Sequence, residues 1–180
     1  GGGPQGLAAF SSRGPAADGR TKPDVVAPGT DVVSVRSRAA GAVGWGVLDE
    51  NTNYCFMGGT SMATPLAAGC ATLVRQYLVD VREMAEPSAA LIKAALAGGA
   101  RSLSPGQYGT GEDREIPAGP RPNPVEGWGQ IDVAGTQIDP VVTPLVGVFD
   151  GLGSFACDGD ELRVSMGANP SEIVADRRAG

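Results

Sequence analysis

Apolar positions along this chain fall into two kinds of run. From Thr64 to about Met84 they recur at helical spacing. Met62, Leu66, Ala67, Cys70, Leu73, Val74, Tyr77 and Leu78 cover much of the first turns, and predict a helix that starts buried nearly all round. Arg75, Gln76, Asp80, Arg82 and Glu83 then accumulate, so the same helix should emerge toward solvent. Pro65 lies close to its start, where a missing N–H costs least. A second helix is predicted after Pro87, with Ser88 as its N-cap, Leu91, Ile92, Ala95 and Leu96 as its apolar face, and Gly98-Gly99 as its stop.

The other runs are short and continuous, as in buried strands. Leu7 to Phe10 reads as a strand end, Asp24 to Ala27 as a buried strand closed by Pro28-Gly29, and Val32 to Val35 as a further strand. Between them stand turn residues: Ser11-Ser12-Arg13-Gly14-Pro15, Asp18-Gly19, and the pair Thr30-Asp31. Residues 38–53 form a polar, glycine-containing loop, and residues 102–126, rich in Gly, Pro and charge, read as a long surface loop. Trp128 to Val133 is a compact apolar element leading into a short helix. Beyond Ile138 the character changes. Val141, Val142, Leu145, Val146 and Val148, then the alternation Leu162, Val164, Met166, favour strands. The expected organisation is residues 1–137 as part of one α/β domain and residues 138–180 as a linker with the start of a β-rich module, without internal repeats.

Composition narrows the function classes. The 180 residues carry a net charge of −6, which gives no electrostatic reason to expect nucleic acid or an anionic membrane as partner. No apolar run is long enough to span a bilayer, and residues 1–6 are glycine-rich without the apolar stretch of a signal peptide. Three cysteines, without a C-x-x-C pair, indicate neither a disulfide framework nor a zinc site. Cys70 falls in the apolar helical pattern as a core residue, and Cys55 with Cys157 is the remaining pairing to consider. The chain contains no histidine, so the usual proton acceptor near neutrality is missing.

The candidate chemistry centres on Gly59-Thr60-Ser61-Met62-Ala63-Thr64-Pro65. A glycine-permitted turn there delivers a serine to a helix N-terminus, where free N–H groups and the positive end of the helix dipole favour an oxyanion. Gly58 and Gly59 allow a substrate backbone to approach closely. A lone serine in such a place is ordinarily just an N-cap. Neighbouring positions have plain readings too: Met62 as core packing, Trp45 and Tyr54 as loop anchors or cleft walls, Asp24 as a strand end or cation partner.

This seven-residue stretch resembles the nucleophile signature of the subtilisin-like serine peptidases, the subtilases. Three further stretches resemble the family in the same order: Phe10 to Pro15, Asp18 to Gly29, and Gly127-Trp128-Gly129-Gln130-Ile131-Asp132, so the resemblance spans about Phe10 to Ala134. It implies a mainly parallel sheet with flanking helices and peptide-bond hydrolysis by a triad whose chain order is Asp, His, Ser. Ser61 is then the nucleophile and the chain is the C-terminal part of a catalytic domain, with the His, the Asp and the Asn oxyanion donor expected upstream. Thr60 takes a supporting hydroxyl position, Gly58 and Gly59 border the substrate, and Met62 abuts the nucleophile as an oxidation-sensitive spot. Leu66 stands where many members carry a non-catalytic His.

The same resemblance implies a polypeptide substrate, no cofactor for catalysis, room for a structural calcium in the parent protein, and secretion, which the scarcity of lysine also suggests. It leaves the oligomeric state open. By itself the chain is expected to be inactive. Other readings fit less well. An α/β-hydrolase elbow at Gly59-x-Ser61-x-Ala63 needs a His after the serine, and none follows. A Ser-Lys dyad finds only Lys22 and Lys93, neither at S-x-x-K spacing. The sedolisin type, with an acidic residue for the His, and an inactive subtilisin-like fold used as a binding module remain as alternatives.

Overall fold

The computed structural model describes residues 5–39, 41, 43–136, 161–166 and 173–178. Two helices and a small sheet organise the first part. Strand β1 (Val32–Val35) pairs with β3 (Tyr54–Met57), and β2 (Gly46–Val47) pairs with the other side of β3. Helix α1 (Thr60–Asp80) follows β3 through Gly58-Gly59, helix α2 (Ala89–Gly99) comes next, and a short α3 (Val133–Thr136) closes this part.

Both helices and strands are present, as an α/β chain requires, but the expected mainly parallel sheet is not what the described residues form. β1 and β3 run antiparallel with Val32 opposite Met57, and β2 and β3 run antiparallel with Val47 opposite Cys55. The reason lies in the connections. β2 runs in the same direction as β1 on the far side of β3, and the chain then turns back directly from β2 into β3, whereas parallel neighbours need a crossover. The strand expected over Asp24–Ala27 is reduced to one bridge, Val26 to Gln130, and that bridge is parallel. Leu7 to Phe10 takes no strand form. In the tail, β4 (Glu161–Met166) and β5 (Ile173–Arg178) form an antiparallel pair with Glu161 opposite Arg178. The strand expectation for Val141 to Val148 lies outside the described residues, as does Cys157. Cys55 is a free buried thiol and Cys70 a free, half-buried one.

Helix α1 starts earlier than its apolar pattern predicts and is covered on one side only. Val74 and Leu78 pack with Leu96 of α2, joined by Cys70, Ala71, Tyr77, Leu91, Ile92, Ala95 and Ile131. The opposite face stays open, with Leu66 40% and Leu73 54% exposed, so the all-round burial is not met by the described residues. Pro65 is the sixth helical residue and so lies beyond the first turn; it has no N–H to offer the Ser61 carbonyl. Helix α2 begins as expected, with the Ser88 hydroxyl accepting from the Leu91 N–H at 3.1 Å. Its glycines do not end it in a left-handed turn; the helix runs through Gly99 to an extended cap at Ala100.

Residues 102–126 are irregular, as expected, but they are not mere surface. Leu103, Ile116 and Val125 join Leu7 in a second core, with Val26 packed against it. The segment lacks strands, so side chains pair its backbone. Glu126, fully buried, accepts from the Leu103 N–H and the Ser102 hydroxyl, both at 2.8 Å. Asn123 accepts from the N–H groups of Val125 and Glu126 at 3.0 Å each. Glu115 accepts from the N–H groups of Leu7 and Gln107 at 3.2 Å and from the Gln107 side chain at 2.9 Å. Buried polar groups require such partners.

Candidate active site

The turn between β3 and α1 is built by two loops that touch. Gly59 donates its N–H to the Gly29 carbonyl at 2.7 Å and takes φ 144°, ψ 164°, a conformation open to glycine and costly for other residues. Its carbonyl then accepts from Met62 at 3.0 Å and Ala63 at 3.4 Å, which starts the helix. Gly59 is therefore the N-cap, and no side chain caps this end. The plain reading of Ser61 as an N-cap serine does not hold.

Ser61 is the second residue of α1 and is exposed. Among the described residues its N–H and that of Thr60 find no acceptor. The first turn holds no acidic side chain either, so the positive end of the helix is not neutralised from within. Thr60 is exposed too, and its carbonyl accepts from the Thr64 hydroxyl at 2.9 Å. Met62 is half-buried, with its sulfur beside Gly59. A cavity of 310 Å³ opens next to this turn, lined by Phe10, Ser11, Gly29, Gly59, Thr60 and Ala63 among others. Ser61 stands beside this hollow and does not line it.

Other candidates take structural places. Asp24 is paired with both lysines: Lys93 Nζ lies 2.9 Å from its carboxylate, and Lys22 Nζ contacts the other oxygen. Burial pushes the Asp24 carboxyl up, but hydrogen bonds and charge from Lys22 and Lys93 outweigh it and hold the group below its ordinary value. That arrangement meets the carboxylate's need for a cation and engages both lysines that a Ser-Lys dyad would require. Among the described residues no cluster of three or more His, Cys, Asp or Glu side chains stands ready for a metal ion.

Trp45 was legible only as a loop or cleft residue. Its N–H donates to the Phe56 carbonyl at 2.7 Å, which holds its backbone along β3. The indole lies directly over Gly58: a Cβ built there would fall 1.7 Å from its ring. Phe10 meets the same indole edge-on, with centroids 6.4 Å apart and planes at 69°. Sequence spacing gave no sign that Phe10, Trp45 and Gly58 converge. Tyr54 sits at the start of β3 and is partly exposed.

The family model for the subtilase family matches residues 3–129. The chain belongs to the subtilase family. Among curated proteins, it is 33% identical over 190 aligned positions to the serine protease/ABC transporter B family protein tagD of Dictyostelium discoideum, covering 92% of this chain and 10% of that protein. It is 36% identical to tagB of the same organism, over 69% of this chain and 8% of tagB. Serine protease AprX of Bacillus subtilis shares 41% identity over 42% of this chain and 17% of its own length. The chain thus spans a tenth or less of the two Dictyostelium proteins. Within the match lies the whole stretch Gly58 to Met62. No helix among the described residues is long and apolar enough to cross a membrane.

Proposed function

We propose that the protein carrying these residues is a serine endopeptidase and that Ser61 is its nucleophile. One observation carries this reading within a subtilase: an exposed serine at a helix N-terminus without a side-chain cap, whose adjacent N–H groups have no acceptor among the described residues. The Ser61 oxygen attacks the carbonyl carbon of a substrate peptide bond, and its proton passes to a base. The resulting oxyanion needs preorganised donors, and the Ser61 N–H at the positive helix end supplies one, with the Thr60 hydroxyl beside it. Collapse expels the amine, which takes the proton, and leaves an ester on Ser61. Water then hydrolyses the ester and frees the enzyme. The turn at Gly58-Gly59 admits the substrate backbone.

The base comes from outside these 180 residues in this reading, since they contain no histidine and both lysines are bound to Asp24. The open face of α1 at Leu66 and Leu73 supports the supply of further polypeptide in the parent, because an apolar helix face gains by being covered. Polypeptide is the substrate class, no cofactor takes part, and export of the parent belongs to the same proposal. Accordingly, the chain alone should not hydrolyse peptides.

The test is made on the full-length protein. Ser61→Ala should lower kcat/KM for a peptide substrate by roughly a thousandfold or more. A serine-directed sulfonyl fluoride should sulfonylate Ser61 with loss of HF, adding the mass of the reagent less HF to the peptide containing Ser61. Unchanged hydrolysis by Ser61→Ala, with the label elsewhere, would sink the assignment and favour a binding role for this fold.

A further inference from the structure

We infer that Glu115 is a positioning residue of the proposed peptidase site: its carboxylate, together with the Gln107 side chain, fixes residues 7–10 as a wall beside the turn before α1, and so sets how tightly a polypeptide is held next to Ser61. The inference rests on the peptidase reading of Ser61. It starts from a missing neighbour. Residues 7–10 are mostly apolar, yet among the described residues no strand pairs with them. Two side chains take that place. The Leu7 N–H donates to Glu115 Oε2 at 3.2 Å, and the Leu7 carbonyl accepts from Gln107 Nε2 at 3.1 Å. Gln107 is held by the same carboxylate, through its backbone N–H at 3.2 Å and its Nε2 at 2.9 Å. Two glycines leave the room for this tie. A Cβ on Gly6 would fall 2.8 Å from Gln107 Cδ, and one on Gly106, at φ 86°, would fall 2.7 Å from Glu115 Oε2.

The stretch held in this way borders the site. Leu7, Ala8 and Phe10 line the 310 Å³ hollow that Gly59 and Thr60 also line. Its last residue, Phe10, meets the Trp45 indole, which lies over Gly58. No strand ladder keeps this wall in place, so its position depends on the acceptors that Glu115 offers. A buried N–H deprived of its acceptor is costly, and the backbone that carries it shifts to find another. A substrate chain whose reacting carbonyl reaches Ser61 passes the hollow, and displacement of one wall loosens the hold on that chain. Glu115 itself is buried and does not line the hollow. Its hydrogen bonds among the described residues go to Leu7 and Gln107, so it acts through the wall and not on the reacting atoms. The effect therefore belongs to substrate binding, with the reactivity of Ser61 left alone.

The experiment measures kcat and KM for a fluorogenic peptide, and the rate at which phenylmethylsulfonyl fluoride sulfonylates Ser61, in the full-length protein and its Glu115→Ala, Glu115→Gln, Gln107→Ala and Ser61→Ala variants. Glu115→Ala should raise KM by roughly tenfold and leave kcat within about threefold, the signature of binding lost equally from ground and transition states. Glu115→Gln keeps one acceptor oxygen and Gln107→Ala keeps the Leu7 N–H bond, so each should raise KM by only about threefold. Sulfonylation by the small reagent, which has no need of the wall, should stay within about twofold of the parent rate. A merely structural role would lower the unfolding midpoint without this split. Unchanged KM in folded Glu115→Gln and Gln107→Ala overturns the proposal. So does a joint fall of kcat and sulfonylation rate, which would put the effect on Ser61. In both cases loss of hydrolysis in Ser61→Ala leaves the peptidase reading standing. If Ser61→Ala hydrolyses as before, that reading and the Glu115 assignment fall together.

Discussion

The turn at Gly58-Gly59 with the first residues of α1 and the irregular segment 101–130 treat their polar groups in opposite ways. In the segment 101–130, Glu126, Asn123 and Gln107 are spent on backbone N–H or C=O groups, and Arg121 donates to the carbonyl of Ala100 at 2.8 Å. At the turn before α1 the N–H groups of Thr60 and Ser61 have no acceptor among the described residues, the cap is a glycine, and the serine is exposed. A chain that satisfies its donors internally is building scaffold. One that leaves them open at a helix start, where the dipole is also unneutralised, has left a place for an anion from elsewhere.

The strongest way to break this contrast is to spoil the turn without touching the serine. Gly59→Ala places a Cβ on a backbone at φ 144°, at a cost of about 1–3 kcal/mol if the conformation is kept. Relief comes by shifting the turn, which moves Ser61. In the full-length protein kcat/KM should fall by roughly a hundredfold, as misplacement by about an ångström does. A variant as active as the parent would mean that the geometry of Gly59 does not position Ser61 for the proposed reaction.

The matching change in the scaffold is Glu126→Ala. It removes the acceptor of the Leu103 N–H and the Ser102 hydroxyl in a fully buried place. Stability measured by urea unfolding should drop by about 3 kcal/mol, with roughly half that loss in Glu126→Gln, which keeps one carbonyl acceptor. An unchanged midpoint for both variants would show that the segment does not depend on this carboxylate.

How much was readable beforehand differs between the two regions for physical reasons. Gly59-Thr60-Ser61 announced a helix start because a positive-φ glycine and a helical apolar run are local signals, and the structure places α1 there. Ser88 announced α2 for the same reason. Glu126 and Glu115 gave no such sign. Their partners lie 23 and 108 positions away, at Leu103 and Leu7, and composition alone marked their surroundings as exposed loop. The antiparallel direction of the small sheet was not legible either, since strand pairing is a long-range matter that the run at Val32 does not encode. The indole of Trp45 over Gly58 was hidden for a third reason: only the antiparallel return of the chain from β2 into β3 brings them together.

The smallest effect expected is one of pH, and it tests the scaffold side of the comparison. Burial pushes the Glu115 carboxyl up, but the Gln107 side chain, the N–H groups of Gln107 and Leu7, and the charge of Arg13 outweigh it and hold the group below its ordinary value. Asp24 is held low as well, against its own burial, by Lys22 and Lys93. With a depressed folded value, the unfolded chain binds more protons near pH 4, so stability rises with pH through that range. The contribution is complete above the ordinary carboxyl values of about 3.9 to 4.3 and is lost as pH falls through the lower folded values. Unfolding midpoints measured from pH 6 to pH 2 should stay level at first and then decline. Glu115→Gln should make that decline shallower but not remove it, because the Asp24 share persists. A variant curve running parallel to the parent's across the whole range would show that the Glu115 carboxylate gains nothing from its donors on folding, and the claim that this segment satisfies its own polar groups would lose its clearest buried example after Glu126.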